Sequence, residues 1–459
     1  MIIKIPDNFS VERLYLVETI FNDYLGLDFE IKKNSSSEYI IILPNKNQLI
    51  IEDHFFSLFK DGLDYLSKEN IPEFVTYSEN PFTVEENIPV LFGSPEVIII
   101  NKLEKIISCK IDIFSGIFFM LTRWEEYVIQ ERDQFLRFPE ILSLSIRNGL
   151  AHRPIVDEYV EMLWNMLQYL GFPGERKLTN YEPVITHDVD HILRYRSFPK
   201  FLRILAGDLF LRKRPALILS TIKEYYLIKS GRKKDSFDTF DNLMDLSESI
   251  NTISHFYFLS QTQTKKSNRK YENYDFRYDV NREDVSSIIK KIRSRGHIVG
   301  LHGSYKSFQD GDLYSDEITR LRKLSTDISE GRQHYLRFLP PVTWRIEDQN
   351  NIKLDSTLGF TNEIGFRCGT CNKYAVFDFL KRERIDLIEM PLLVMEVALV
   401  KITKDPVDFI NQICSIIDIV KKYKGKFVLL WHTNSFNVYE WKKYQEYYAD
   451  IIHYAGGLK

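Results

Sequence analysis

An α/β fold with parallel strands is predicted from three observations: short apolar runs recur after about residue 181, helical segments separate them, and ionisable residues stand at their ends. The runs are "PVITHD" (183–188), "TISHFYFL" (252–259), "HIVGLHG" (297–303), "LRFLPP" (336–341), "LIEMPLL" (387–393) and "KFVLLWH" (426–432). Between them lie segments such as "NREDVSSIIKKIRSRG" (281–296), whose apolar residues recur at helical spacing. Strands that alternate with helices argue for βαβ units and a parallel sheet. In such sheets the strand C-termini open into loops above a rigid core, and that edge carries the chemistry.

Ahead of this unit, residues 1–110 read as a smaller α/β domain. Its β-branched runs, "YIIILPNKNQLIIED" (39–53) and "PVLFGSPEVIIINK" (89–102), are broken by Pro, Asn and Gly. Residues 111–178 read as a helical connector, because "IDIFSGIFFMLTRWEEYVIQ" (111–130) and "PIVDEYVEMLWNMLQYL" (154–170) carry helical periodicity. Arg123, Glu125 and Glu126 fit a solvated or salt-bridged face of the first helix. Residues 179–459 then form the α/β unit, with a basic helical insertion over 194–250.

A chain of 459 residues with 44% hydrophobic content can bury a large core and divide into two or three domains. Its formal net charge of −3 gives no overall basic face, so nucleic acid is not an expected partner. The start "MIIKIPDNFSVERL" has no apolar signal region, and no run of about 18 apolar residues follows, so a cytoplasmic protein is expected. Four cysteines, Cys109, Cys368, Cys371 and Cys414, are too few for a disulfide framework and fit a reducing compartment. The CxxC formed by Cys368 and Cys371 lacks the second pair of a zinc ribbon.

Residues 194–234 hold twelve Lys or Arg, among them Arg212, Lys213, Arg214, Arg232, Lys233 and Lys234, against two acids, Asp208 and Glu224. Apolar residues are interleaved with those charges. Such a segment is a helical cover for the sheet, or it contacts an anionic membrane surface or a phosphate-bearing substrate.

The strongest chemical signal is "THDVDH" (186–191). In an extended strand Asp188 and Asp190 point to the same side. Two carboxylates that close need a cation or a shared proton. A metal resolves the repulsion if one ligates it and the other acts as a base on water. Two further strand ends converge on this chemistry, "GLHGSYK" with His302 and "VLLWH" with His432.

With these motifs in this order, residues 180–440 resemble the polysaccharide deacetylases of carbohydrate esterase family 4, the NodB-homology domains. The resemblance implies a distorted (β/α) barrel. It implies Asp188 as catalytic base, Asp190 and His302 as metal ligands, and His432 as the general acid that protonates a departing amine. "RQHY" matches the family's Arg-x-Pro, so Arg332 would orient the base while His334 stands in place of proline. "IKLDSTLGF" brings Asp355 and Ser356 to the same rim.

The chain departs from the family in its second motif, where Lys306 occupies the position of the second metal histidine. A catalytic zinc site normally has three protein ligands, and the nearby candidates for the third are His334 and His191. His187 alternates away from the Asp side and is expected to pack against a neighbouring strand. Lys306, Tyr305, Arg367 and Trp431 are the candidate substrate-binding residues, with loop bracing as the alternative for Arg367.

The function implied is metal-dependent removal, with one divalent ion, zinc, of an N-acetyl or related acyl group from a sugar of a surface polysaccharide or its lipid-linked precursor. Residues 194–234 would then give peripheral contact with the inner membrane face. The alternative is a catalytically altered or metal-free protein of the same fold that binds glycan or modifies the same sugar nitrogen by other chemistry.

Overall fold

The apolar runs that end in ionisable residues become neighbouring strands in the computed structural model, which describes residues 1–101, 103–211, 213–261, 274–275 and 278–457. One nine-stranded sheet runs from edge to edge as Tyr374–Asp378, Glu383–Glu389, Leu354–Asp355, Glu330–Gln333, Ile298–Gly303, Ser254–Leu259, Glu182–Val189, Lys426–Leu430 and Val394–Met395. Every neighbouring pair is parallel except Tyr374–Asp378 against Glu383–Glu389. Parallel strands covered on both faces read as continuous apolar runs, and Ser254–Leu259 is buried along its whole length. The register does the positioning: Leu259 lies opposite His302, and His302 opposite Arg332.

The segment 383–395 joins the two sides of this sheet. Its Ile388 and Glu389 pair with Leu354 and Asp355, Met390 N–H donates to the Asp355 carbonyl, and Leu393 N–H donates to the Val428 carbonyl. It ends paired with Lys426–Leu430.

The strand expected at "LRFLPP" is displaced. Pairing is made by Glu330–Gln333 instead, followed by a tight turn over His334–Leu336. Pro340 and Pro341 have no N–H to give a ladder, which favours the earlier residues. Tyr335 and Leu336 adopt left-handed backbone, with φ of 61° and 53°, a conformation that costs side-chain-bearing residues roughly 1–3 kcal/mol each and clusters at functional sites.

The N-terminal residues form a separate six-stranded sheet, ordered Glu30–Asn34, Ile2–Pro6, Glu38–Ile42, Gln48–Glu52, Lys105–Ile111 and Gly93–Asn101. Ile3, Ile5, Tyr39, Ile41, Leu49 and Ile51 are buried in alternation, and Tyr39 stacks on Phe114 at 3.8 Å between ring centroids. Phe114 belongs to the helix Ile113–Thr122, which Asp112 caps by accepting from the Ser115 N–H.

The helix expected over 111–130 breaks at Arg123, whose φ is 54°, and resumes as Trp124–Val128. Arg123, Glu125 and Glu126 are buried, which corrects the solvated reading. Arg123 Nη2 meets Glu125 Oε1 at 2.5 Å and Nε meets Glu126 Oε1 at 3.0 Å. The second expected helix is present as Ile155–Tyr169. All four cysteines are free, and Cys368 and Cys371 are buried.

The basic insertion contains the helices Phe198–Ala206, Pro215–Lys229 and Phe240–Ser249; Arg212 lies outside the described residues. The first two pack through Tyr195, Phe201 and Tyr225, a small cluster apart from the main core. Phe198, Leu202, Phe210, Leu219 and Tyr226 remain exposed. Among the described residues no helix is long and apolar enough to cross a membrane.

Candidate metal centre

Asp190, His302 and His334 each offer one ligand atom, and the three atoms lie within 4.8 Å of one another. All three residues are buried. His302 Nδ1 donates to the Arg332 carbonyl at 2.9 Å, which leaves Nε2 as the acceptor nitrogen. That Nε2 stands 3.6 Å from Asp188 Oδ2 and 3.6 Å from Asp190 Oδ1. Among the described residues, neither His302 Nε2 nor Asp190 Oδ1 has a hydrogen-bond partner, although both are buried. Orphaned buried polar atoms are costly and call for an explanation. A cation between them supplies one, and an Asp/His/His donor set suits zinc.

His334 is arranged in the same way. Its Nδ1 meets Asp275 Oδ1 at 2.9 Å, and its Nε2 lies 3.5 Å from Asp190 Oδ1. A carboxylate or carbonyl on the remote ring nitrogen is the usual outer support of a metal-ligating histidine, because it fixes tautomer and ring orientation. His191 is placed differently: its ring stacks on Phe237 and lines a neighbouring cavity. Burial lowers its pKa to about 4. His187 packs on Phe256, with Nδ1 2.7 Å from the Trp431 carbonyl.

Asp188 stands beside the cluster. Arg332, fully buried, donates from Nη1 to Asp188 Oδ1 at 3.1 Å and to Thr186 Oγ1 at 2.7 Å, and from Nε and Nη2 to Ser356. The guanidinium is therefore locked by four contacts. Burial raises the Asp188 carboxyl, but the charges of His302, Arg332 and His432 outweigh it and hold the pKa below the ordinary carboxylate range. Asp190 is lowered further, burial being overcome by His334, His302 and His432. For His302, burial is outweighed by Asp188 and Asp190, and its pKa is raised.

On the other side, His432 Nε2 is 4.0 Å from Asp190 Oδ2, and its Nδ1 meets Glu396 Oε1 at 2.8 Å. The same oxygen accepts from the His432 backbone N–H and from Ser435 Oγ. Burial lowers the imidazole, yet the Glu396 carboxylate, with Asp190 and Asp188, pushes it up to about 10. Asp188, Asp190, His302, His334 and His432 share one cavity of about 470 Å³, with Arg137, Tyr335, Lys401 and Trp441 among its walls.

The four expected substrate-binding residues lie elsewhere. Tyr305 is 1% exposed, with its ring stacked on Tyr274 and its hydroxyl donating to the Phe135 carbonyl. Trp431 is buried and donates to the Ser435 carbonyl, with its ring against Phe409, Phe436 and Tyr448. Arg367 is buried in a two-pronged pair with Glu126, at 2.9 and 2.6 Å. Lys306 borders a different cavity, beside Gln309 and Asp310. Tyr305 and Trp431 are corrected to packing roles, and Arg367 takes the loop-bracing role, the other of its two expected roles, through Glu126 and the Gly359 carbonyl.

Asp355 and Ser356 are fully buried beneath the rim, where Ser356 holds Arg332. Sequence reasoning missed Glu396 and Asp275, the two outer carboxylates. A signal for Glu396 exists in "PLLVMEVALV" (391–400), where a lone acid interrupts an apolar run and so must be paired if buried.

Residues 1–171 match a family of unknown function, DUF7033. Among solved structures, the chain is similar to a crystal structure of a "putative polysaccharide deacetylase from Mycobacterium smegmatis", with 14% identity, 60% of this chain and 84% of that chain covered, and a TM-score of 0.35. No curated protein matches the chain.

Proposed function

We propose that the chain is a metal-dependent hydrolase of the polysaccharide deacetylase type, removing an N-acetyl or related acyl group from a sugar of a surface polysaccharide or its lipid-linked precursor. The observation that carries this reading is the Asp190, His302 and His334 cluster, flanked in one cavity by Asp188 and His432. We read His334 as the third ligand in place of the histidine that Lys306 displaces. We also read 179–459 as a distorted barrel, supported by the way 383–395 pairs with strands on both sides of the sheet, and keep 1–110 and 111–178 as domain and connector.

A divalent ion held by these three residues, zinc by the donor set, would supply Lewis acidity to the acyl carbonyl and the attacking water. Asp188, ionised and oriented by Arg332, accepts the proton that the water loses as it attacks. His432 carries a proton on Nε2 and delivers it to the departing nitrogen, while Glu396 holds the ring through Nδ1 and stabilises the imidazolium. The two groups are thus poised in opposite protonation states, as acid and base in one step require.

The insertion's exposed Phe198, Phe210 and Leu219 stand among its excess Lys and Arg, and the reading includes contact of this surface with an anionic membrane on its cytoplasmic side. The direct test of function is acetate release from N-acetylated oligosaccharides by the zinc-loaded chain. Release by the parent and none by Asp188→Asn supports the reading; equal release by both rejects it.

A further inference from the structure

We propose that Phe135 and Arg137, which precede the nine-stranded sheet in the chain, are positioning residues of the metal centre: they hold the turn that carries His334, so that the N-terminal part of the chain completes the site. This rests on the reading of His334 as the third ligand. Both residues wall the cavity that holds Asp188, Asp190, His302, His334 and His432.

One carboxylate shapes their segment. Asp133 Oδ1 accepts from the Phe135 and Arg137 backbone N–H groups at 2.8 and 2.9 Å, and its Oδ2 accepts from Arg137 Nε at 2.8 Å. Leu136, between them, is left-handed with a φ of 58°, a state that persists only where the surroundings impose it. The turn so made sets Phe135 against both neighbours of the histidine. Its ring stacks on Tyr335, the residue after His334, at 5.1 Å between centroids, and Arg137 Nη1 donates to the Tyr335 carbonyl at 3.2 Å. The same ring meets Tyr274 at 5.9 Å, and Tyr274 precedes Asp275, the carboxylate on His334 Nδ1. The Phe135 carbonyl accepts from the Tyr305 hydroxyl at 3.1 Å, and the Tyr305 N–H donates to Asp275 Oδ1 at 2.8 Å.

His334 needs such support where His302 does not. His302 lies within the strand Ile298–Gly303 and is placed by the register. His334 lies beyond the last paired residue of Glu330–Gln333, and the two residues after it are left-handed. A ligand ring has to be held within about 0.5 Å of its productive place, and the groups around it do the holding.

The test is titration of the metal-stripped full chain with cobalt(II), which reads affinity and, through visible absorption bands, ligand geometry. Phe135→Ala and Asp133→Ala are expected to bind the ion about 10- to 100-fold more weakly than the parent, with altered bands, and Phe135→Tyr, which keeps the ring, to match the parent. Arg153→Gln serves as the control for general destabilisation, because Arg153 pairs with Glu158 and Asn87 away from this turn; it is expected to lower Tm and leave cobalt affinity unchanged. Parent-like affinity and bands in both Phe135→Ala and Asp133→Ala overturn the proposal, as does an equal loss of affinity in Arg153→Gln. A parent chain that binds no cobalt overturns the metal centre and this inference together. Cobalt binding that weakens as expected, with no acetate release by the parent, overturns the hydrolase reading alone.

Discussion

His302 Nδ1 donates to the backbone carbonyl of Arg332 on the adjacent strand at 2.9 Å. This bond sets the tautomer, so Nε2 faces Asp188 and Asp190 as an acceptor. Parallel pairing fixes it, because His302 and Arg332 lie opposite each other in the register. Gly303 allows the close approach: a Cβ there would lie 2.2 Å from Gln333 Oε1.

Asp188→Asn keeps its contact with Arg332 but cannot accept a proton. Turnover is expected to fall by about 10²- to 10⁴-fold with metal content unchanged, as read by acetate release beside elemental analysis. Full activity in the variant would move the base elsewhere.

Glu396→Gln removes the charge that holds the His432 pKa up at about 10. A general acid works only while protonated, so activity falls as pH rises through its pKa. In the variant, the basic limb of the kcat/KM profile shifts to lower pH; an unmoved limb would show that His432 is not the titrating acid.

Arg367 separates packing from substrate binding. Its loss leaves Glu126 buried with Arg123 alone, and Arg367→Ala is expected to cost on the order of 3 kcal/mol of stability, with KM unchanged in the folded fraction. An unchanged Tm with a raised KM would restore the residue to substrate binding.

Burial, assisted by Asp275, pushes the Glu317 carboxyl up to about 8. Between its ordinary value and about 8 the folded chain holds a proton that the unfolded chain has released. Stability therefore declines as pH rises through that window, by at most about 1.4 kcal/mol per pH unit. Glu317→Gln should flatten this slope in denaturant titrations between pH 5 and 9. An identical slope in the variant would contradict the assignment.

Much of the site was legible because parallel strands place chemistry at their C-terminal ends: Asp188, Asp190, His302 and His432 follow apolar runs and do meet in one cavity. Arg332 was found through the motif order rather than through its strand, since "EGRQ" is too short and polar to signal one. Glu396 is 36 residues from the histidine it supports, and no local pattern reports such a pair. Tyr305 and Trp431 misled because a strand-end position does not say which way a side chain turns, and for the same reason Arg367 left binding and bracing both open.

The most direct test is the zinc content of the purified chain, by elemental mass spectrometry, beside His302→Ala, His334→Ala and His191→Ala. About one ion per parent chain is expected, with loss in His302→Ala and His334→Ala and retention in His191→Ala. Stoichiometric zinc in His334→Ala, or none in the parent chain under zinc-replete conditions, would contradict this site assignment.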